Sequence, residues 1–229
     1  MIKIYLIPGL IASCYLIEQK GRLFLIDTGF LGFAGRILRK IQRIGRKPHD
    51  LKLIAVTHDH CDHFGSAREV HKESNALVGC HEFDYEGVKQ GSKKISPPVS
   101  RSGKVLSFLA SRSMPLMNLE GVTPHITLHD GMSLEEFGLS GRVVHTPGHT
   151  KGSVSVVLED GSAFIGDLVM GKTVVNNKPS RGAFAEDVDT LYQSWVKIIE
   201  AGAKKIYPAH GNPFSARELE ELISRTEPE

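Results

Sequence analysis

The sequence predicts an α/β fold in which two β-sheets pack face to face with helices on the outside. Strand-like runs dominate both halves of the chain, and each half closes on stretches with helical periodicity. No linker or short-period repeat divides the halves, so residues 1–229 read as one domain.

The first half opens with strands. Ile2 to Ile7 and Ala12 to Ile17 are rich in β-branched and aromatic residues, and Leu23-Phe24-Leu25-Ile26 follows Gly21 as a third run. Asp27-Thr28-Gly29 ends that run. From Ala34 to Ile44 the period changes: Ile37, Leu38, Ile41 and Ile44 share a helical face, with Arg36, Arg39, Lys40 and Arg43 elsewhere. Pro48 breaks the helix, and Leu53 to Val56 reads as a buried strand. A helix from Ser66 to Lys72 and a strand from Ala76 to Val78 follow.

In the second half, Ile126 to Leu128, Arg142 to Val144, Val154 to Leu158 and Ala163 to Ile165 read as strands. Asp130-Gly131 and Asp160-Gly161 carry hairpin-turn chemistry. Glu186 to Ala201 is a helix with Val188, Leu191, Trp195, Ile198 and Ile199 as its apolar stripe. A short strand at Lys205 to Tyr207 and a helix at Ala216 to Ser224 complete the chain.

Composition narrows the function classes. A formal net charge of +2 is too small for a concentrated basic face, so no nucleic-acid partner is expected. No run approaches the ~18 apolar residues of a span, so no membrane partner is expected either. Ile11-Ala12-Ser13-Cys14 has the outline of a lipoprotein cleavage site, but only Lys3 precedes it and Pro8-Gly9 interrupts the apolar stretch. Cys14, Cys61 and Cys80 form no CxxC pair and leave one thiol over in any disulfide scheme. The expectation is a cytoplasmic protein in a reducing compartment.

The chemistry is concentrated in Thr57-His58-Asp59-His60-Cys61-Asp62-His63, directly after an apolar strand. In an extended segment residues two apart point the same way, so His58 and His60 can reach one metal together. A helical turn beginning near Asp62 swings Asp62 and His63 toward a neighbouring position. That spacing suits two adjacent metals better than one. His149, Asp167 and His210 each lie just past a short apolar strand, where packed sheets can gather loops at one edge. Imidazole and carboxylate suit zinc, iron and manganese.

His58-x-His60-x-Asp62-His63, Pro147-Gly148-His149-Thr150, Gly166-Asp167 and Pro208-Ala209-His210-Gly211 together resemble the ordered metal motifs of the metallo-β-lactamase superfamily. The likeness runs from Leu25-Ile26-Asp27-Thr28-Gly29 to Gly211. It implies a four-layer αββα sandwich of two mixed sheets flanked by helices. It also implies that His58, His60 and His149 hold one divalent metal, Asp62, His63 and His210 a second, and Asp167 bridges them. The cofactors would be two divalent ions, zinc first, with iron or manganese as alternatives. Asp27 would orient ligands by hydrogen bonding.

The implied activity is metal-dependent hydrolysis. Two metals roughly 3.5–4 Å apart share a water whose lowered pKa makes it a hydroxide nucleophile near neutrality. Asp62 is the candidate catalytic residue, placed to orient that water. An ester, thioester or lactone is the expected small-molecule substrate. A phosphodiesterase, a mono-iron persulfide dioxygenase-like oxidoreductase and a non-catalytic metal-binding protein are the alternatives.

Departures from named subfamilies narrow the choice. Metallo-β-lactamases usually carry cysteine where Asp167 stands, so the set looks like the glyoxalase II-like branch. The tail after His210 is too short for that branch's C-terminal helical glutathione-binding region. Lactonases of the superfamily place tyrosine three residues after the bridging aspartate, where this chain has Met170.

Residues 87–119 form the expected insertion. They combine Lys89, Lys93, Lys94, Arg101, Lys104 and Arg112 with apolar residues from Val105 to Met117 and no acidic residue. A lid for an anionic or acyl-bearing substrate and a homodimer contact both fit. The remaining histidines (His49, His71, His81, His125, His129, His145), together with Trp195 and Tyr192, are expected to be structural. Cys61 is expected to point away from the ligands. Lys178 and Arg181 are candidate additions to an anion site.

Overall fold

The computed structural model describes residues 1–174 and 176–226. The first sheet contains β1 (Ile2–Ile7), β2 (Cys14–Gln19), β3 (Arg22–Ile26), β4 (Leu51–Ala55), β5 (Leu77–Cys80) and β6 (Ile126–Thr127), in that spatial order. Its first two pairings are antiparallel, and those from β3 to β6 are parallel. The parallel part needs crossovers, supplied by α1 (Ala34–Arg43) and by α2 (Cys61–Phe64) with α3 (Ala67–Ser74). The β5–β6 crossover carries α4 (Tyr85–Gln90) and α5 (Arg101–Ser113).

The second sheet contains β7 (Gly141–His145), β8 (Val154–Leu158), β9 (Ser162–Phe164), β10 (Lys205–Tyr207) and β11 (Phe214–Ser215). Its spatial order is β11-β10-β9-β8-β7, and only β9 and β10 pair in parallel. α6 (Val188–Glu200) is the β9–β10 crossover, and α7 (Ala216–Ile223) follows β11.

Strand alternation sorts the apolar residues into three cores. Leu16, Leu23, Leu25 and Ile54 face outward with Ile37 and Ile41 of α1 and Val70 of α3. Ile17, Phe24, Ile26 and Leu53 face inward against Val143, Val154, Val156 and Phe164 of the second sheet. Val157, Ala163 and Ile206 face the other way, against Leu191, Trp195 and Ile198 of α6. This is the four-layer αββα sandwich with mixed sheets. Each fully buried Leu, Ile or Phe contributes about 1.5–3 kcal/mol relative to exposure.

The helix ends follow from local chemistry. Asp187 caps α6 by accepting a bond from Thr190 N. Ser215 and Glu218 form a reciprocal capping box on α7. Asp160-Gly161 joins the antiparallel β8 and β9, as its turn chemistry predicts. Asp130-Gly131 departs from the hairpin expectation. It turns the chain between β6 of one sheet and β7 of the other; the isolated Ser133–Arg142 bridge and the backbone bonds of Gly131, Met132 and Leu134 to β7 form no named strand pair.

No helix among the described residues is long and apolar enough to cross a membrane.

Candidate metal centre

Topology gathers the ligand loops. β3, β4 and β5 run parallel in one sheet; β9 and β10 run parallel in the other, and β7 has the same direction as β9 because β8 opposes both. Asp27 follows β3, His58 to His63 follow β4, His149 follows β7, Asp167 follows β9 and His210 follows β10. Their C-terminal ends meet at one edge of the sandwich. His60 is the extended residue before α2, and the helical turn at Cys61 redirects Asp62 and His63.

The seven candidate ligands fall into two sets. One atom from each of His58, His60, His149 and Asp167 lies within 4.8 Å of the others, and the same holds for Asp62, His63 and His210. Asp167 links the sets. Its Oδ2 is 3.6 Å from His149 Nε2, while Oδ1 is 3.2 Å from His63 Nε2 and 3.1 Å from His210 Nε2. Asp62 Oδ2 lies 3.8 Å from His63 Nε2 and 3.6 Å from His210 Nε2.

The ring nitrogens not facing the cluster are held by the protein. Asp27 Oδ2 accepts from His63 Nδ1 at 2.8 Å, Phe184 O from His149 Nδ1 at 3.0 Å, and Ile11 O from His210 Nδ1 at 2.9 Å. Each bond leaves Nε2 aimed inward, the second contact that orients a metal-binding histidine. His60 is turned the other way. Its Nε2 faces Ser96 N and Oγ, both at 3.2 Å, so it presents Nδ1, 3.0 Å from His149 Nε2.

Despite these approaches, His58 Nε2, His63 Nε2 and Asp167 Oδ1 are buried without a hydrogen-bond partner of acceptable angle. An unpartnered buried polar atom is costly, and three converging on one centre are what a bound cation would satisfy. The donors are all imidazole and carboxylate, and Cys61 is packed into the outer core, so the set fits zinc, manganese or iron.

Burial, reinforced by neighbouring histidines, holds His58 and His60 well below the ordinary histidine value; burial also lowers His149. Those rings are neutral donors. Burial also opposes charge on His63 and His210, but Asp167 with the other carboxylates outweighs it and raises both. Burial would raise Asp167, yet His210 and His63 hold it well below the usual carboxylate range.

Two further residues tie the loops together, and the sequence reading missed both. Asp84 Oδ2 accepts from Asp59 N at 3.1 Å and from Thr150 Oγ1 at 2.8 Å, joining the loop after β4 to the loop after β7. Ser96 Oγ donates to His149 O at 2.6 Å while touching His60. Asp84 carried a usable signal, an acidic residue shortly past a strand. Ser96 lies in no motif.

Other expectations resolve simply. Trp195 is fully buried and donates to Leu168 O at 2.8 Å. Arg181 bonds Tyr192 Oη and Val99 O, which makes it a structural brace. His49, His71 and His145 engage backbone carbonyls, and His81 and His125 engage backbone N–H groups.

Comparison with known proteins agrees with this fold. The sequence pattern of the Metallo-beta-lactamase superfamily matches residues 7–210. A "Beta-lactamase-like protein 2 homolog" of Drosophila melanogaster is 26% identical over 94% of this chain, which spans 62% of that protein's length. Hydroxyacylglutathione hydrolase GloC of Haemophilus influenzae is 28% identical over 80% of this chain and 76% of its own. Acyl-coenzyme A thioesterase MBLAC2 of Bos taurus is 24% identical over 93% and 77%. In structure, a metallo-β-lactamase family protein of Thermus thermophilus aligns with a TM-score of 0.72 at 23% identity, covering 98% of this chain and 78% of its own.

Proposed function

The chain belongs to the metallo-β-lactamase superfamily, and on that premise we propose that it is a binuclear metal-dependent hydrolase of acyl esters, with thioesters as the favoured substrates. One observation carries the reading: two adjoining ligand sets meet at Asp167, a member of the first that also approaches His63 and His210 of the second, and leave His58 Nε2, His63 Nε2 and Asp167 Oδ1 unpartnered at their centre. His58, His60 and His149 would hold one ion, Asp62, His63 and His210 the other, with Asp167 between them. Zinc is the first choice, manganese and iron the alternatives.

When bound, divalent ions supply a water nucleophile at neutral pH and polarise the substrate carbonyl. The chain supplies the rest. Asp27 and the carbonyls of Phe184 and Ile11 fix the ring orientations of His63, His149 and His210. Asp62, Asp167 and His210 keep 20%, 15% and 18% side-chain exposure, whereas His63 has none, so substrate enters on the Asp62–His210 side. Asp62 stands there to orient the attacking water. Beside His210, the tip between β1 and β2 exposes Leu10 and Ile11, an apolar rim suited to an acyl group. Relatives named as a thioesterase and a hydroxyacylglutathione hydrolase support that substrate class. Buried free thiols at Cys14, Cys61 and Cys80 support a cytoplasmic location. The chain forms a single domain in which residues 87–119 are an insertion.

The test is hydrolysis of a panel of thioesters, esters and lactones before and after chelation. Activity should vanish with the metal and return with zinc or manganese. A rate that survives complete metal removal would sink the proposal.

A further inference from the structure

α5 is packed inside out. Its buried or half-buried positions are Gly103, Ser107 and Ala110, with Met114 continuing the stripe one turn on. That spacing is one helical face, and it is made of small residues. Gly103 is required there, because a Cβ would strike Ala183 O. The large apolar residues lie outside: Val105 is 62% exposed, Leu106 51%, Phe108 55% and Leu109 58%. An amphipathic helix of a globular protein normally turns such residues inward. The helix also bears Arg101, Lys104 and Arg112, all exposed and, among the described residues, none in an ion pair with a carboxylate. No acidic residue occurs from Gly87 to Leu119.

We propose that the outer face of α5 docks on an anionic lipid surface, seating Val105, Leu106, Phe108 and Leu109 at the headgroup boundary while Arg101, Lys104 and Arg112 meet the lipid phosphates. Apolar side chains interspersed with cations alone are the composition an anionic interface attracts. Arg112 lies over the Phe108 ring at 4.1 Å, so charge and apolar surface are presented together. A second copy of the chain is the poorer occupant, because two α5 faces packed symmetrically bring like charges together. The expectation of no membrane partner rests on the lack of a spanning segment, and docking on a surface needs none. This inference is independent of the hydrolase reading.

The test is co-sedimentation of the full chain with vesicles of pure phosphatidylcholine and of phosphatidylcholine mixed with phosphatidylglycerol. Two variants accompany it: Phe108→Ser with Leu109→Ser, and Arg101→Gln with Lys104→Gln and Arg112→Gln. The native chain should bind the anionic vesicles at least ~10-fold more tightly than the neutral ones and be released by salt. The charge variant should lose roughly 100-fold and the apolar variant ~10-fold or more. Circular dichroism identifies any variant that fails to fold, and the charge variant alters only exposed side chains. Failure of the native chain to bind anionic vesicles overturns the proposal. So does a native dimer that the apolar variant converts to monomer, which assigns the face to a second copy. Binding to polyglutamate without binding to vesicles assigns it to an acidic polypeptide instead.

Discussion

Asp27 Oδ2 accepts hydrogen bonds from His63 Nδ1 and from Thr57 Oγ1, each at 2.8 Å, while Oδ1 accepts from Thr57 N at 2.8 Å. One buried carboxylate therefore sets both the start of the ligand loop and the ring of one ligand. Asp27 has φ 57°, a left-handed conformation that asparagine also tolerates. Asp27→Asn should consequently fold, yet lower metal affinity or activity by about 10–100-fold. Metal titration checks this; unchanged affinity would separate Asp27 from the site.

Asp84 should impose a pH dependence on stability. Burial, with Asp59 nearby, pushes its carboxyl up to about 7. The unfolded chain releases that proton near ~3.9, so between these values the folded state binds more protons. Stability then falls as pH rises through this window, by at most ~1.4 kcal/mol per pH unit for one group. Asp84→Asn keeps an oxygen acceptor for Asp59 N and Thr150 Oγ1 but does not titrate. Denaturation of both proteins from pH 4 to 8 should show the variant gaining stability relative to the native protein as pH rises. An identical slope would contradict the assignment.

Gly148 is the residue before His149, with φ 127°. A Cβ there would strike the backbone N of Leu191 on α6. Gly148→Ala should cost about 1–3 kcal/mol and displace His149. The check is a fall in both melting temperature and metal affinity; a neutral outcome would mean the contact relaxes freely.

Trp195 anchors the other side. It is fully buried, and its indole bond to Leu168 O fixes the residue next to Asp167. Trp195→Ala should destabilise by about 3–5 kcal/mol. Trp195→Phe keeps most of the packing but not the bond, and should cost less stability while still loosening the Asp167 loop. Chemical denaturation and metal titration of both variants distinguish packing from positioning.

Much of the candidate metal site was legible because its side chains occur in ordered motifs at strand ends, and the parallel strands bring those ends together. The carbonyls of Phe184 and Ile11 that orient His149 and His210 have no sequence signature, because every residue supplies a carbonyl. Asp84 depends on β5 pairing in parallel with β4, which spacing alone does not specify. Asp130-Gly131 misled for a related reason. The turn chemistry is local, whereas the flanking strands are distributed to different sheets by long-range packing. In α5 the apolar residues were visible but their direction was not, since small residues such as Gly103 and Ala110 can form the packed face.

The most direct test of the proposed centre is metal content per chain, comparing the native protein with Asp167→Ala after purification without chelator. The account predicts about two divalent ions per native chain and a clear loss in the variant, because Asp167 belongs to the first set and its Oδ1 also reaches His63 and His210 of the second. A single ion unaffected by the substitution would contradict the shared, two-metal site.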